Sequence, residues 1–114
     1  MPWDSLMSVG MNPAEFANIA AAEQQFWWYR GMRRIMYRLM DPIVAGRSIS
    51  RALEAGCGTG HFAHELSERY DWKVSALDLG FEGLQYGRGM GIPDLLQADL
   101  RAIPCPDSAF DAVV

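Results

Sequence analysis

Apolar and polar positions change period several times along the chain, and each change marks an element. Residues 1–11 carry Met, Ser and Gly without any period and are expected to fray. Asn12-Pro13-Ala14-Glu15 then reads as a helix start, with Asn12 as cap, Pro13 at the first helical position and Glu15 where a capping box places its acid. A short helix through Phe16, Ile19 and Ala20 should follow. Over residues 23–40, Trp28, Met32, Ile35, Met36 and Leu39 recur at helical spacing, while Arg30, Arg34 and Arg38 fall on another face with Arg33 beside them. The apolar stripe is expected to pack on the domain, leaving the arginines solvated or paired. Asp41-Pro42 should end the helix, because a residue before proline avoids the α region.

Past a linker at Val44–Ser48 the pattern alternates between strand and helix. A strand is expected near Arg51 to Ala55, and a helix over 61–70, where Phe62, Ala63, Leu66 and Tyr70 share a face. Trp72–Leu77 alternates, is mostly apolar, and predicts a second strand ending on Asp78. Residues 80–91 are helical in pattern but hold five glycines. Each interior glycine costs up to about 1 kcal/mol against alanine, so this helix should be short or loosely held. Leu95–Ala98 and Asp111–Val114 complete four predicted strands. Strands separated by helices imply βαβ units and a parallel α/β sheet.

Candidate chemistry sits between the first strand and its helix. Gly56, Gly58 and Gly60 occupy alternate positions there, the strand–turn–helix opening of a unit that receives a nucleotide-like ligand. A dinucleotide fingerprint, G-x-G-x-x-G, would put its third glycine at position 61, where His61 stands. Glu54 precedes the first glycine by two residues, and Asp78 follows it by 22. An acid at the end of the second strand is placed to accept from ribose hydroxyls.

The string E-x-G-x-G-x-G over Glu54–Gly60 resembles motif I of the class I S-adenosylmethionine-dependent methyltransferases. The run from Asp99 through Ile103-Pro104-Cys105-Pro106-Asp107-Ser108-Ala109-Phe110-Asp111 is similar to the family's G-D-A…L-P-F-P-D-x-S-F-D-x-V segment. It departs at Ala98, Leu100, Cys105 and Ala109. The resemblance implies a Rossmann-like parallel sheet with flanking helices, containing strands 3-2-1-4 of a seven-stranded sheet ordered 3-2-1-4-5-7-6 and preceded by N-terminal helices. It implies S-adenosyl-L-methionine as cofactor and methyl transfer to a small-molecule or lipid-like acceptor. Glu54 would hold the methionine end, with Gly56, Cys57, Gly58 and Gly60 giving close backbone approach. Asp78, with Leu79 beside it, would serve the ribose, and Asp99 with the Leu100 N–H the adenine. Asp111 would be structural.

By the same resemblance, residues 1–47 form a helical cap, and Trp27-Trp28-Tyr29-Arg30 with Arg33 and Arg34 looks like strings found ahead of motif I in some members. Residues 48–114 form the cofactor-binding domain, cut within strand four. Its hydrophobic edge is then open to self-association or to a partner. Such a segment should bind cofactor weakly and transfer no methyl group, since any general base lies beyond it.

Composition narrows the rest. A chain of 114 residues holds one domain at most, and half its residues are apolar. A net charge of -4 argues against nucleic acid as main partner. No run approaches the roughly 18 apolar residues of a membrane-spanning helix, and the N-terminus lacks a signal-peptide pattern. Two cysteines make a disulfide framework improbable and a reducing cytoplasm the expected location. Cys57, His61 and His64 invite a zinc reading, but Cys57 lies where the turn would wrap its ligand, so no metal is expected. Three alternatives remain: a non-catalytic S-adenosylmethionine-binding module, a nicotinamide-dependent oxidoreductase, and, for the arginine face alone, contact with acidic lipid or a phosphorylated acceptor.

Overall fold

The protein is described by a computed structural model over residues 12–23 and 26–114. The expectation for residues 1–11 therefore lies outside the described residues, as do Gln24 and Gln25 at the start of the 23–40 stretch. Four parallel strands, β1 (Arg51–Ala55), β2 (Lys73–Asp78), β3 (Asp94–Gln97) and β4 (Ala112–Val113), form one sheet in the order β3-β2-β1-β4. Between them run α3 (His61–Tyr70) and α4 (Phe81–Gly89), and ahead of them α1 (Pro13–Ala22) and α2 (Trp27–Ala45). This is the Rossmann-like order implied by the resemblance, with each strand edge within a residue or two of its expected place.

The two central strands are buried almost throughout, as parallel strands covered on both faces must be. Ala52, Ala63, Leu66, Trp72, Val74, Ala76, Leu84 and Ile92 make the core between sheet and helices. Asp111 joins the starts of β1 and β4: its carboxylate accepts from the N–H groups of Ser50 and Arg51, each at 3.0 Å. Ser75, buried within β2, donates its hydroxyl to the Asp94 carboxylate of β3. At the other end of the sheet, the Ala98 N–H donates to the Asp78 carbonyl at 3.1 Å, so the chain leaving β3 stays beside the end of β2.

Asn12 caps α1 as expected, its side-chain oxygen accepting from the Ala14 N–H at 3.0 Å with Pro13 in the first turn. Phe16, the buried residue of α1, lies on Gly80 and Gly83: a Cβ on either would come within 3 Å of its ring. Of the two expected outcomes for α4, short or loosely held, the structure shows the first. The helix is short, but Gly83, Leu84 and Gly87 are buried, and the missing side chains are what let it sit so close.

Two expectations for α2 are corrected. It does not stop at Asp41-Pro42 but runs on to Ala45 with Pro42 inside it. The proline forfeits one hydrogen bond near the helix end. Asp41 offsets this by accepting from Arg69 Nε at 3.0 Å, from Arg69 Nη2 at 2.5 Å and from the Tyr70 hydroxyl at 2.7 Å, all on α3. Most of the predicted apolar stripe also stays off the domain, with only Met32 and Met36 of it reaching a cavity beside the residues that follow β1. Trp28, Met32, Ile35 and Leu39 are exposed, Leu39 by 67%. Tyr37, Met40 and Val44 on the neighbouring strip make the packing contact instead. Polar anchors chose that face: Arg33 pairs with Glu65 at 2.9 Å, the Tyr37 hydroxyl donates to the same carboxylate at 2.9 Å, and Arg69 lies 4.3 Å over the Tyr37 ring. Arg30, Arg34 and Arg38 are exposed.

Candidate functional site

The glycine turn at the carboxyl end of β1 is held from beneath by β2. The N–H groups of Gly56 and Cys57 both donate to the Leu77 carbonyl at 2.9 Å. Gly56, Gly58 and Gly60 all take left-handed φ, at 82°, 56° and 81°, which a residue with a Cβ rarely adopts. Among the described residues nothing lies within 4 Å of where a Cβ on Gly58 would be, so that side of its backbone is open. Gly60 caps α3 and is closed in, since a Cβ there would meet Ile92 at 2.6 Å.

Asp78 stands beside the turn and is half-buried. One carboxylate oxygen accepts from the Gly58 N–H and the other from the Gly80 N–H, both at 2.8 Å. The acid at the end of β2 thus fastens the glycine turn to the start of α4, with lone pairs remaining for a ligand. Leu79 next to it is exposed. The loop after β3 also reaches the turn: Leu100 Cδ1 lies 3.8 Å from the position of a Cβ on Gly56. Asp99 is gripped by Arg101, whose backbone N–H donates at 2.9 Å and whose guanidinium donates at 2.6 and 3.1 Å. Those bonds hold its carboxyl down at about 2. The structure therefore brings Gly56, Cys57, Gly58, Gly60, Asp78, Leu79 and the Asp99-Leu100 loop to one edge of the sheet.

Glu54 lies deeper, on β1, and is 8% exposed. Its Oε2 has no hydrogen-bond partner among the described residues. Burial, then the nearby Glu23 charge, pushes its pKa up to about 8. Burial likewise raises the Cys57 thiol to about 12, which keeps it un-ionised and a poor nucleophile. Glu54 opens into a cavity of about 280 Å3 between the turn and the N-terminal helices.

Nine lining residues fall outside the expected cofactor-binding set, five of them polar. Glu23, at the end of α1, is buried and accepts from the Thr59 hydroxyl at 2.5 Å. Arg33 and Tyr29 come from α2, and His61 from the first turn of α3. Thr59 carries a local signal as the polar residue set among glycines, and Tyr29 and Arg33 lie in the string that resembles those ahead of motif I. Nothing in the local pattern marks Glu23, because its role depends on where α1 docks.

Comparison with known proteins agrees with this geometry. A family model described as "Methyltransferase domain" matches residues 52–114, more than half of the chain. Malonyl-[acyl-carrier protein] O-methyltransferase of Erwinia pyrifoliae is 39% identical over 75 residues, covering 65% of this chain and 28% of that protein. The protein of the same name from Pectobacterium atrosepticum is 42% identical over 75 residues, covering 60% of this chain and 27% of its own length. The chain thus spans little more than a quarter of these relatives. Among solved structures, a SAM-dependent methyltransferase from Aquifex aeolicus superposes with a TM-score of 0.57 over 91% of this chain and 56% of that one. At 18% identity that likeness speaks for the fold alone. The [4+2]-cyclase SpnF gives a TM-score of 0.53 at 29% identity, over 67% of this chain and 32% of that chain. The chain belongs to the methyltransferase domain family, and its sheet corresponds to the first four strands of the class I S-adenosylmethionine-dependent methyltransferase fold.

Proposed function

We propose that this chain is the cofactor-binding half of an S-adenosylmethionine-dependent methyltransferase acting on a small-molecule or lipid-like acceptor. Residues 48–114 bind the cofactor and residues 1–47 cap it. The observation that carries the proposal is the meeting of the open glycine turn, Asp78 and the Asp99-Leu100 loop at the carboxyl end of the sheet, beside a buried Glu54 oxygen with no partner among the described residues. A buried carboxylate oxygen with no partner is costly, and an ammonium group is the ligand feature that would relieve it. The residues present thus fit a nucleoside that carries an amino acid better than a dinucleotide, whose fingerprint His61 interrupts.

In this site Asp78 accepts from ribose hydroxyls while keeping its hold on the turn. Asp99 and the Leu100 N–H read adenine, and Glu54 holds the methionine end. The bound cofactor supplies an electrophilic methyl group on a sulfonium. The protein's part is to orient it and keep water out, which Ile19, Met32, Met36 and Phe62 favour by lining the cavity with apolar surface. The relatives' names give malonyl-[acyl-carrier protein], an acyl group carried on a protein, as their methyl acceptor. Two free cysteines suit a reducing cytoplasm, and no described helix is long and apolar enough to cross a membrane.

Titration calorimetry with S-adenosylhomocysteine, in competition with NAD, tests the proposal. Saturable binding of the first and none of the second is expected, and the reverse preference would refute it. One structural neighbour is named as a cyclase, which favours a second reading in which the chain serves something other than methyl transfer. Transfer of a labelled methyl group by a longer chain containing these residues would exclude that second reading.

A further inference from the structure

The side of α2 that stays off the sheet carries a continuous apolar strip. Trp28, Ile35, Leu39 and Ile43 follow one another along it, each more than half exposed, and Trp27, 71% exposed, stands at its N-terminal end. At 100° per residue those four lie within about 80° of one another, so they form one face. An exposed apolar face of this length marks a surface of interaction.

A row of arginines runs beside the strip. Arg30, Arg34 and Arg38 recur every fourth residue, are exposed, and make no ion pair among the described residues. On the helix surface the row falls between the apolar strip and the strip of Tyr37, Met40 and Val44 that meets the core. The whole helix holds four arginines and a single acid, Asp41, which is already paired with Arg69. A cationic face is thus set on a chain of net charge -4, so an anionic surface attracts this face and turns the rest of the chain away.

The residue types say which surface. Indole rings such as those of Trp27 and Trp28 settle at the depth of lipid headgroups. Arginine stems lie along apolar surface while their guanidinium groups reach outward to phosphates. An apolar strip with tryptophans, flanked by arginines, is the make-up of a helix that lies in a bilayer interface. The face also leads to the candidate site. Trp27, Trp28, Met32, Ile35 and Met36 line a hollow of about 250 Å3 on it, and Met32 and Met36 line the cavity at the glycine turn as well.

We propose that α2 seats this chain on an anionic lipid bilayer, with the apolar strip at the acyl boundary and Arg30, Arg34 and Arg38 on lipid phosphates. For its purpose the contact rests on the lipid-like acceptor reading above: an acyl chain would pass from the bilayer over Met32 and Met36 to the site without crossing water.

Cosedimentation of the 114-residue chain with vesicles tests this, using phosphatidylcholine alone and phosphatidylcholine mixed with an equal part of phosphatidylglycerol. The mixed vesicles should bind at least about tenfold more tightly, and raising salt from about 0.1 to about 1 M should abolish the difference. Arg38→Glu should cut binding to the mixed vesicles by about tenfold, and Arg34→Glu added to it should remove binding. Leu39→Ser should weaken binding by about tenfold through the lost apolar contact. Thermal melting reports the folding of each variant. Without vesicles, Arg38→Glu and Leu39→Ser should leave the calorimetric affinity for S-adenosylhomocysteine unchanged. Binding to neither kind of vesicle, or equal binding to both that Arg38→Glu does not alter, would overturn the proposal. A dimer that Leu39→Ser disperses, without vesicle binding, would overturn it too and give the face to a second copy. If anionic vesicles bind and S-adenosylhomocysteine does not, the lipid contact stands and the cofactor reading falls.

Discussion

Gly83 lies so close beneath Gly58 that a methyl group built on it would overlap the Gly58 carbonyl oxygen and stand 2.7 Å from the Phe16 ring. Helix α4, helix α1 and the glycine turn therefore meet at a single point, and backbone on one side of the contact cannot yield. Gly83→Ala should destabilise the chain by about 1–3 kcal/mol, the usual penalty for overpacking, and should weaken S-adenosylhomocysteine binding by displacing the turn. Gly31, inside α2 with nothing within 4 Å of a Cβ, is the control. Gly31→Ala should stabilise by about 0.5–1 kcal/mol. Chemical denaturation of the two variants beside the parent chain separates these outcomes.

Asp78 holds the glycine turn and, in the proposed reading, also the ribose, so its removal should register in both stability and binding. Asp78→Ala should weaken S-adenosylhomocysteine binding by about 10- to 100-fold, the range for hydrogen bonds to a charged group. It should also lower the melting temperature, because the N–H groups of Gly58 and Gly80 lose their acceptor. Calorimetry that found affinity intact with stability reduced would confine the residue to the turn.

Glu54 makes stability depend on pH. Its pKa is raised from 4.5 to about 8, first by burial and then by Glu23. Between those values the folded chain keeps a proton that the unfolded chain releases, so stability falls as pH rises from about 4.5 to about 8 and then levels off. Glu54→Gln, which cannot ionise, should flatten that part of the profile and melt higher than the parent at about pH 9, above the raised pKa. Melting curves across this window in the parent and the variant decide it.

Arg101 occupies the carboxylate that the adenine amino group would use. The pair is exposed, so Arg101→Ala should leave the melting temperature unchanged. It should improve S-adenosylhomocysteine affinity a few-fold by freeing Asp99. Weaker binding in this variant would mean that Arg101 itself contacts the ligand.

The outer edge of β4 is unpaired among the described residues, and Val113 on it is 64% exposed. Open strand edges pair with copies of themselves, so the chain should associate at high concentration. Val113→Lys should shift sedimentation toward monomer.

Much of this molecule is local and was legible in the chain. The period change at residue 50, the run of small residues at 56–60 and the acids that end β2 and follow β3 report backbone requirements: a strand buried on both faces, a turn with left-handed φ, a polar strand end. Such requirements act on a residue and its near neighbours, so sequence pattern alone carries them. The same holds for the cap at Asn12.

Packing between elements is not local, and there the pattern misled. An apolar stripe on α2 says that a helix has a sticky side but not which strip docks. Arg33, Tyr37 and Asp41 decided that by finding Glu65, Arg69 and Tyr70 on the distant helix α3. The glycines of α4 looked like defects until Phe16 and Gly58 were seen filling the space their side chains would take. The sequence by itself determined the strand order's building blocks and the left-handed glycine turn after β1, because those follow from what each backbone segment tolerates. Only tertiary structure brought Glu23, Arg33 and His61 around Glu54, because residues distant along the chain are joined by where helices come to rest.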